Sequence, residues 1–326
     1  MADIVLGAQR RIALLATGGT IAMAAEERGA ALRYGAAALG NRLGLDTSII
    51  LESSDVMAKP SASVTLQDIA TLGNTIDAAF LRGVDGVVVT HGTDTIEETA
   101  FALSLISRPS GPVVLTAAMR PASAIGADGP ANLLAAIRVA ATRNVTEFGP
   151  VVVIDDEIHA ARLVRKVHSS RSHAFSSAPF GPVGAIAEGR VEFVVAGVSH
   201  GPRMAFGGRS PVVPILTVGL DLEPEAVEVL ADPRIEAVVI AGAGGGHVSA
   251  RAVQSIERLA VLKPVILASR AGLPLKSSYA YDGSEADLLS RGLLHAARWN
   301  PLQARIIAQL ALSVSDDCRA LAQALG

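Results

Sequence analysis

The sequence predicts an α/β protein with a larger N-terminal domain and a smaller C-terminal domain. Short aliphatic runs alternate along the chain with amphipathic segments of helical period, which is the pattern of βαβ units. The alternation stops at residues 199–213, a stretch rich in glycine and proline, and then starts again. The 326 residues are about twice the usual length of one domain. We therefore expect domains at 1–198 and 214–326, joined by a linker at 199–213.

Four near-continuous aliphatic runs in the N-terminal part predict strands that are buried on both faces, as in a parallel sheet. They lie at 11–16, 86–89, 112–116 and 150–154. Between them, apolar residues recur at helical spacing, as Ile96, Ala100 and Leu103 do, and such spacing predicts helices that pack one face on the sheet. These helices are expected at 65–81, 95–106 and 129–141.

The same pattern in the C-terminal part predicts a second, smaller sheet with its own helices. Strands are expected at 215–218, 237–241 and 264–268, and helices at 224–231, 249–262 and 301–312.

The composition excludes several classes of protein. Half of the residues are hydrophobic and only 18% are charged, which is the opposite of the balance in disordered chains. The net charge is −3 and the basic residues are dispersed, so neither nucleic acid nor an anionic membrane is an expected partner. The single cysteine, Cys318, excludes an intrachain disulfide and a cysteine-based zinc site. No apolar run is long enough to span a membrane, and the first residues reverse the order of a secretory signal. These features predict a cytoplasmic protein.

Two polar segments follow predicted strands at the sheet edge where ligands bind in open α/β proteins. TGGTIA occupies 17–22, and its paired glycines let a ligand approach backbone N–H groups. HGTDT occupies 91–95. Asp94 followed by Glu97 has the spacing of a capping box at the start of the next helix.

These two segments together resemble the signature motifs of the bacterial-type L-asparaginase family. The resemblance continues in chain order through AMRP at 118–121, ADGPANL at 127–133, DEIH at 156–159, RKVH at 165–168 and NPLQAR at 300–305. It implies a flavodoxin-like, mainly parallel sheet in the larger domain. It also implies hydrolysis of the side-chain amide of asparagine, and often of glutamine, with release of ammonia. The family requires no metal and no other cofactor.

The resemblance assigns five catalytic residues. Thr20 would be the nucleophile, and a threonine hydroxyl needs an activating neighbour. Tyr34, at the end of the Ala-rich segment 23–35, would close over the site and supply that activation. Thr93, Asp94 and Lys166 would form a second triad, in which the lysine acts as a base only if its surroundings keep it partly neutral.

The resemblance also assigns substrate contacts. Asp94 would bind the α-ammonium group, and Ser53, with Ser54 beside it, would bind the α-carboxylate. Backbone groups would contact the amide and its oxyanion at Gly19, Thr93 and Ala118.

Family members assemble as homotetramers of intimate dimers, in which the C-terminal domain of one chain completes the site of another. Relatives place an asparagine in the Gly-rich loop, and here Gly245 stands in that position. A glutamate further along also reaches the neighbouring site in relatives. Three residues of this chain are candidates for that role: Tyr279, Tyr281 and Glu285.

Two other functions compete with an amidase. A catalytically inactive amino-acid sensor on the same fold would keep the binding residues but lose the nucleophile or the base, whereas all of them are present here. The segment 197–201 matches the G-x-S-x-G pattern of serine esterases, with Ser199 as nucleophile. Pro202 follows immediately, however, and an esterase elbow must enter a helix at that point.

Overall fold

A computed structural model describes residues 9–26, 29–45, 47–197, 201–272 and 281–326 of the chain. It divides the chain into two compact units, Met1–Arg203 and Met204–Gly326. The division falls inside the segment 199–213 that the sequence predicts as a linker.

The first unit is built around an eight-stranded sheet in the part of the chain that the structure describes. Its strands are β1 Arg10–Ala16, β4 Ile49–Asp55, β5 Gly86–Thr90, β6 Val113–Thr116, β7 Val151–Ile154, β8 Glu157–Ala160, β11 Gly184–Ala187 and β12 Arg190–Phe193. Two small antiparallel pairs accompany it: β2 Met23–Glu26 with β3 Gly29–Leu32, and β9 Arg165–Lys166 with β10 Phe175–Ser176.

The strand order of this sheet is β12-β11-β8-β7-β6-β5-β1-β4. The strands β4, β1, β5, β6 and β7 are parallel, and β8, β11 and β12 extend the sheet in antiparallel pairs. Leaving the β2–β3 hairpin aside, the parallel strands follow the order 2-1-3-4-5 of flavodoxin-like sheets. The predicted fold class is confirmed.

Helices cover both faces of the parallel strands, which explains why these strands are aliphatic throughout. The helices are α1 Ala36–Asn41, α2 Leu66–Leu81, α3 Ile96–Ile106 and α4 Gly129–Ala140. Ile12 and Leu14 of β1 join a core cluster with residues of α1 and α4, such as Leu133. The intervening Ala13 and Leu15 are buried as well, and α2 and α3 pack against β5 and β6. Burial on both faces requires apolar residues at every strand position.

The second unit has a parallel sheet of four strands in the residues described, in the order β13-β14-β15-β16. Its strands are β13 Ile215–Thr217, β14 Val238–Gly242, β15 Val265–Ser269 and β16 Leu294–His295. Its helices are α5 Pro224–Glu228, α6 Val253–Leu262, α7 Glu285–Ser290, α8 Pro301–Val314 and α9 Cys318–Leu325. The core of this unit includes Val238, Ile240, Ile256 and Leu267. Among the residues described, no helix combines the length and the apolar character that crossing a membrane requires.

The predicted elements are all present, and most of their ends differ by one or two residues. The helix expected at 224–231 ends as an α-helix at Glu228 and continues as a 3-10 turn, and that expected at 249–262 begins with a 3-10 turn. The sequence did not predict the strands β4, β8, β11, β12 and β16. Of these, β4 and β12 are partly exposed along their length, so they carry no continuous aliphatic run. The segment 23–35, expected to be a lid, contains the hairpin β2–β3.

His159 is a buried titratable residue on β8. Its Nδ1 lies 2.9 Å from Ser177 Oγ, and its Nε2 lies 3.2 Å from a carboxylate oxygen of Glu157. Burial lowers the pKa of His159 to about 4, with a further contribution from the charge of His173. The folded protein therefore holds this imidazole in its neutral form at pH values where an unfolded chain would protonate it.

We expect the free energy of unfolding to decrease as the pH falls from about 6.5 towards 4. In this interval the unfolded chain binds a proton at His159 that the folded chain does not, so the stabilisation is complete above pH 6.5. A pKa difference of this size corresponds to about 3 kcal/mol. In urea unfolding between pH 4 and pH 7, His159→Gln should show a shallower pH dependence than the wild type. His168→Gln, at a less buried histidine, is the control, and equal slopes for His159→Gln and the wild type would contradict the assignment.

Candidate active site

Four parallel strands of the first unit end at the same level. Asp55 at the end of β4 lies opposite Ala16 of β1, which on its other side lies opposite Thr90 of β5. Thr90 in turn lies opposite Thr116 of β6. The loops that follow these strands consequently open at one edge of the sheet, where ligands bind in open α/β folds. Most N-terminal residues that the sequence predicts for the site end these strands or follow them directly.

The turn after β1 separates two threonines with different surroundings. Thr17 is buried, and both its hydroxyl and its backbone N–H donate to the Thr90 carbonyl, at 2.8 and 3.1 Å. This residue therefore fastens β1 to β5. Thr20 is partly exposed and begins the 3-10 turn Thr20–Ala22. Of the two hydroxyls beside the glycines, that of Thr20 is the one available for chemistry.

Two glycines allow this turn to lie directly against its neighbours. Gly18 and Gly19 have φ angles of 111° and 83°, which favour glycine. A Cβ on Gly19 would lie 2.4 Å from backbone atoms of Gly92, and one on Gly18 would lie 2.5 Å from the carbonyl oxygen of Lys59. No side chain fits at either position. The backbone that leads to Thr20 is therefore in contact with the HGTDT loop.

Thr93, Asp94 and Lys166 form one hydrogen-bonded group. Lys166 Nζ donates to Thr93 Oγ1 at 2.9 Å and to Asp94 Oδ1 at 2.6 Å. Thr93 is 6% exposed and the lysine side chain 15%, whereas the aspartate side chain is 66% exposed. The structure thus brings together residues that are 72 and 73 positions apart in the chain. The open face of Asp94 leaves its carboxylate accessible to a cationic ligand.

Glu97 does not form the capping box predicted with Asp94. The helix α3 begins after Thr95, and neither residue supplies a side-chain cap. The carboxylate of Glu97 instead accepts the backbone N–H of Lys166 at 2.5 Å, while Asp94 pairs with the ammonium group of the same lysine. Burial raises the pKa of Glu97, and the hydrogen bond from Lys166 opposes that shift. The prediction failed because a tertiary contact recruits both carboxylates.

His91 has a structural role in the same loop. Its ring is buried, with Nδ1 2.8 Å from the Gly92 carbonyl and Nε2 3.1 Å from Thr99 Oγ1. Because the carbonyl can only accept, Nδ1 carries the proton and Nε2 accepts from the threonine. Burial lowers the pKa of His91, so the neutral ring is favoured. This histidine fixes the backbone that precedes Thr93.

The loop that contains Ala118 is held by side chains from the start of α4. The carboxylate of Asp128 accepts the backbone N–H groups of Met119 and Arg120, at 2.8 and 2.9 Å. Asn132 donates to the Ala117 carbonyl at 2.9 Å and accepts the N–H of Asp155 at 3.0 Å, so it links the ends of β6 and β7. The motif ADGPANL therefore positions the backbone at Ala118.

The structure places Ser53 and Ser54 on β4, where both are exposed near the carboxyl end of the strand. It does not bring Tyr34 into hydrogen-bond contact with Thr20 among the residues described. The tyrosine ring packs against the core, and the guanidinium of Arg42 lies 4.8 Å from its centroid. Just beyond it, the N–H of Ala36 donates to Asp55 at 2.7 Å, which anchors this segment to the end of β4.

Comparison with known proteins identifies the family. The family model described as "Asparaginase, N-terminal" matches residues 11–197, and "Glutaminase/Asparaginase C-terminal domain" matches residues 212–325. The chain belongs to the asparaginase family.

Relatives in the asparaginase family match along most of their length. The chain is 31% identical to a glutaminase-asparaginase of Pseudomonas fluorescens, over 95% of this chain and 88% of the relative. It is 30% identical to a probable periplasmic L-asparaginase of Haemophilus influenzae, over 96% and 91%. The crystal structure of a probable cytoplasmic L-asparaginase from Campylobacter jejuni superposes with a TM-score of 0.82 at 31% identity. That superposition covers 97% of this chain and 99% of the other.

The C-terminal candidates of this asparaginase differ in accessibility. Glu285 is 5% exposed, and its carboxylate lies 2.8 Å from His295 Nε2 within the same unit. Tyr281 is 50% exposed, with its hydroxyl 2.7 Å from His247 Nδ1, and Gly245 lies in the turn closed by the bridge between 243 and 247. Tyr279 and the esterase candidate Ser199 lie outside the described residues. Tyr281 and Gly245 are thus better placed to contact another molecule than Glu285.

Within the ranges that the structure describes, no group of three or more His, Cys, Asp or Glu side chains could hold a metal ion.

Ser61 is a site residue that the sequence analysis missed. It is buried after β4, its Oγ accepts the N–H of Asp94 at 3.2 Å, and its carbonyl accepts the Thr95 hydroxyl at 2.7 Å. A Cβ on Gly92 would lie 2.6 Å from this Oγ. Ser61 therefore packs against the HGTDT loop and accepts hydrogen bonds from it. Ser61 lies in the sequence KPS at 59–61, which matches no motif, so no sequence pattern indicated this role.

We expect Ser61→Ala to lower the free energy of unfolding by about 1–3 kcal/mol, because it removes the hydroxyl that accepts the N–H of Asp94. Denaturant-induced unfolding would measure this change. Ser63→Ala is the matched control, since Ser63 lies in the same 3-10 turn and is exposed. Equal stability of both variants would contradict the supporting role of Ser61.

Proposed function

We propose that this asparaginase hydrolyses the side-chain amide of L-asparagine to L-aspartate and ammonia, with some activity on glutamine, and that Thr20 is its nucleophile. The observation that carries the proposal is the hydrogen-bonded group of Thr93, Asp94 and Lys166 beside the Thr20 turn, in a chain of this family. A relative named glutaminase-asparaginase supports the broader specificity.

In the proposed first step, Thr20 Oγ attacks the carbon of the side-chain amide and transfers its proton to a neighbouring base. The developing oxyanion is stabilised by backbone N–H groups at Gly19, Thr93 or Ala118, because fixed donors are most effective where charge develops. The C–N bond then breaks, and ammonia leaves with a proton. An ester between Thr20 and the aspartyl group remains, which water hydrolyses to regenerate the hydroxyl.

Two bases are proposed for these proton transfers. Lys166 is held between Thr93 and Asp94 and can relay a proton through the Thr93 hydroxyl when its amine is neutral. Tyr34 is proposed to activate Thr20 after substrate has bound, which requires that its phenol leave the position against Arg42.

The amino-acid end of the substrate is proposed to bind at the exposed carboxyl end of β4 and at Asp94. The exposed aspartate is available to the α-ammonium group, and the Ser53 hydroxyl, with Ser54 beside it, to the α-carboxylate. These contacts would select a small amino acid whose side-chain amide reaches Thr20. No metal and no cofactor takes part in this scheme.

The purified protein should release ammonia from L-asparagine at neutral pH, equally well with and without a chelator. Thr20→Ala should lower kcat by on the order of 10³-fold or more, because it removes the attacking oxygen. Thr20→Ser, which keeps that oxygen, should retain part of the activity. An ammonia assay with L-asparagine, L-glutamine and D-asparagine measures these effects.

Binding of asparagine without turnover by the wild type would instead support an amino-acid sensor. Near-normal turnover by Thr20→Ala would show that another residue is the nucleophile, and loss of activity in Ser199→Ala would favour the esterase alternative.

We further propose a homotetramer of intimate dimers, in which Tyr281 and the Gly245 turn of one chain complete the site of another. If so, Thr20→Ala chains mixed with Tyr281→Ala chains should regain activity that neither has alone, since some sites then combine intact halves. Turnover after unfolding and refolding the two chains together measures this recovery, and refolding each chain alone is the control. Proven mixing without recovery would mean that each chain completes its own site. The cytoplasmic location stays a prediction, as the names of relatives include both a periplasmic and a cytoplasmic enzyme.

A further inference from the structure

We infer that Glu97 is a positioning residue for the hydrolysis: its carboxylate fixes the backbone of Lys166, and it affects turnover only through that lysine. The inference rests on the proposed function, in which Lys166 works with Thr93 and Asp94.

Lys166 is held at both ends by one short stretch of chain. Its Nζ donates to Thr93 and Asp94, and its backbone N–H donates to Glu97. All three partners lie within residues 93–97, across the start of α3. Residues 93–97 therefore position both the backbone of Lys166 and its ammonium group.

The backbone of Lys166 has little other support among the residues described. It lies in β9, a strand of two residues whose antiparallel partner, β10, is equally short. Glu97 reaches it from a different element, so this hydrogen bond joins β9 to the helix that follows the HGTDT loop. Without this hydrogen bond, the four-carbon side chain of Lys166 could still reach Thr93, but the position of its backbone would be less well fixed.

A partly buried carboxylate in this position has a cost that its contacts must offset. Burial raises the pKa of Glu97, as does Glu98, whereas the N–H of Lys166 and the charges of Arg165 and Lys166 lower it. Acidic residues are common in the first turn of a helix because they favour its dipole. A role limited to the helix would need no bond to β9. If Glu97 only stabilised the helix, its loss would have the same effect on kcat whether or not Lys166 is present.

A double-mutant cycle separates these roles. Glu97→Ala should lower kcat for asparagine by roughly 10- to 100-fold with little change in KM, since small misplacements of catalytic groups have effects of this size. Glu97→Gln keeps an oxygen that can accept the N–H, so it should restore most of kcat. In a Lys166→Met background, Glu97→Ala should cause no further loss. Glu98→Ala, which removes the neighbouring carboxylate, should leave kcat close to that of the wild type.

The rescue of kcat by Glu97→Gln, with KM unchanged, is a second measurement that applies even where turnover of the Lys166→Met chain is too slow to compare. Thermal unfolding of every variant checks that the fold is retained.

The outcomes distinguish the inference from the proposal on which it depends. An unchanged kcat in Glu97→Ala, or an equal loss in the wild-type and Lys166→Met backgrounds, would overturn the positioning role. Near-normal activity of Lys166→Met itself would overturn the proposed role of the lysine, and the inference with it. Loss in Glu97→Ala, rescue in Glu97→Gln and no further loss without Lys166 would establish it.

Discussion

Direct contact between two backbones constrains the whole site. The α-carbon of Gly19 faces Gly92 so closely that a Cβ would lie 2.4 Å away, and Gly92 in turn faces Ser61. The loops after β1 and β5 therefore meet backbone to backbone, and the side chain of Ser61 packs directly against Gly92. Thr20 and Thr93 are each the residue that follows one of these glycines. The backbone segments that carry the two hydroxyls are consequently adjacent. Any larger residue at either glycine would push the two threonines apart.

The loops at this edge are braced by residues of neighbouring loops and helices as well as by their own residues. Ser61, from the loop after β4, supports the loop after β5, and Asn132 of α4 links the ends of β6 and β7. Glu97 extends the same arrangement to β9. Buried polar groups that satisfy one another in this way hold a site rigidly, since losing one partner leaves another uncompensated. A substitution in one loop should therefore also disturb the structure of the neighbouring loop.

The sequence predicted most of the parallel strands and most helices because burial on both faces leaves a continuous aliphatic signal, as in β5. It could not predict β4, whose Ser53 and Ser54 are exposed at the sheet edge and carry no such signal. The motifs located Thr20, Thr93, Asp94 and Lys166 by resemblance, and the structure groups the last three. Local reasoning failed at Glu97, because spacing along the chain cannot reveal a partner 69 residues away.

The choice of lysine at position 166 follows from what an arginine cannot do. Lysines are scarce, with four among the 28 Lys and Arg residues. In each lysine within the described ranges, the ammonium group contacts two oxygens. Lys59 contacts both carboxylate oxygens of Asp68, and Lys263 contacts two backbone carbonyls. An ammonium group is a compact donor that fits between the hydroxyl of Thr93 and the carboxylate of Asp94. Unlike a guanidinium, it can also give up its proton and take it back. In the proposed mechanism Lys166 both holds two oxygens and exchanges a proton with one of them, which an ammonium group can do and a guanidinium cannot.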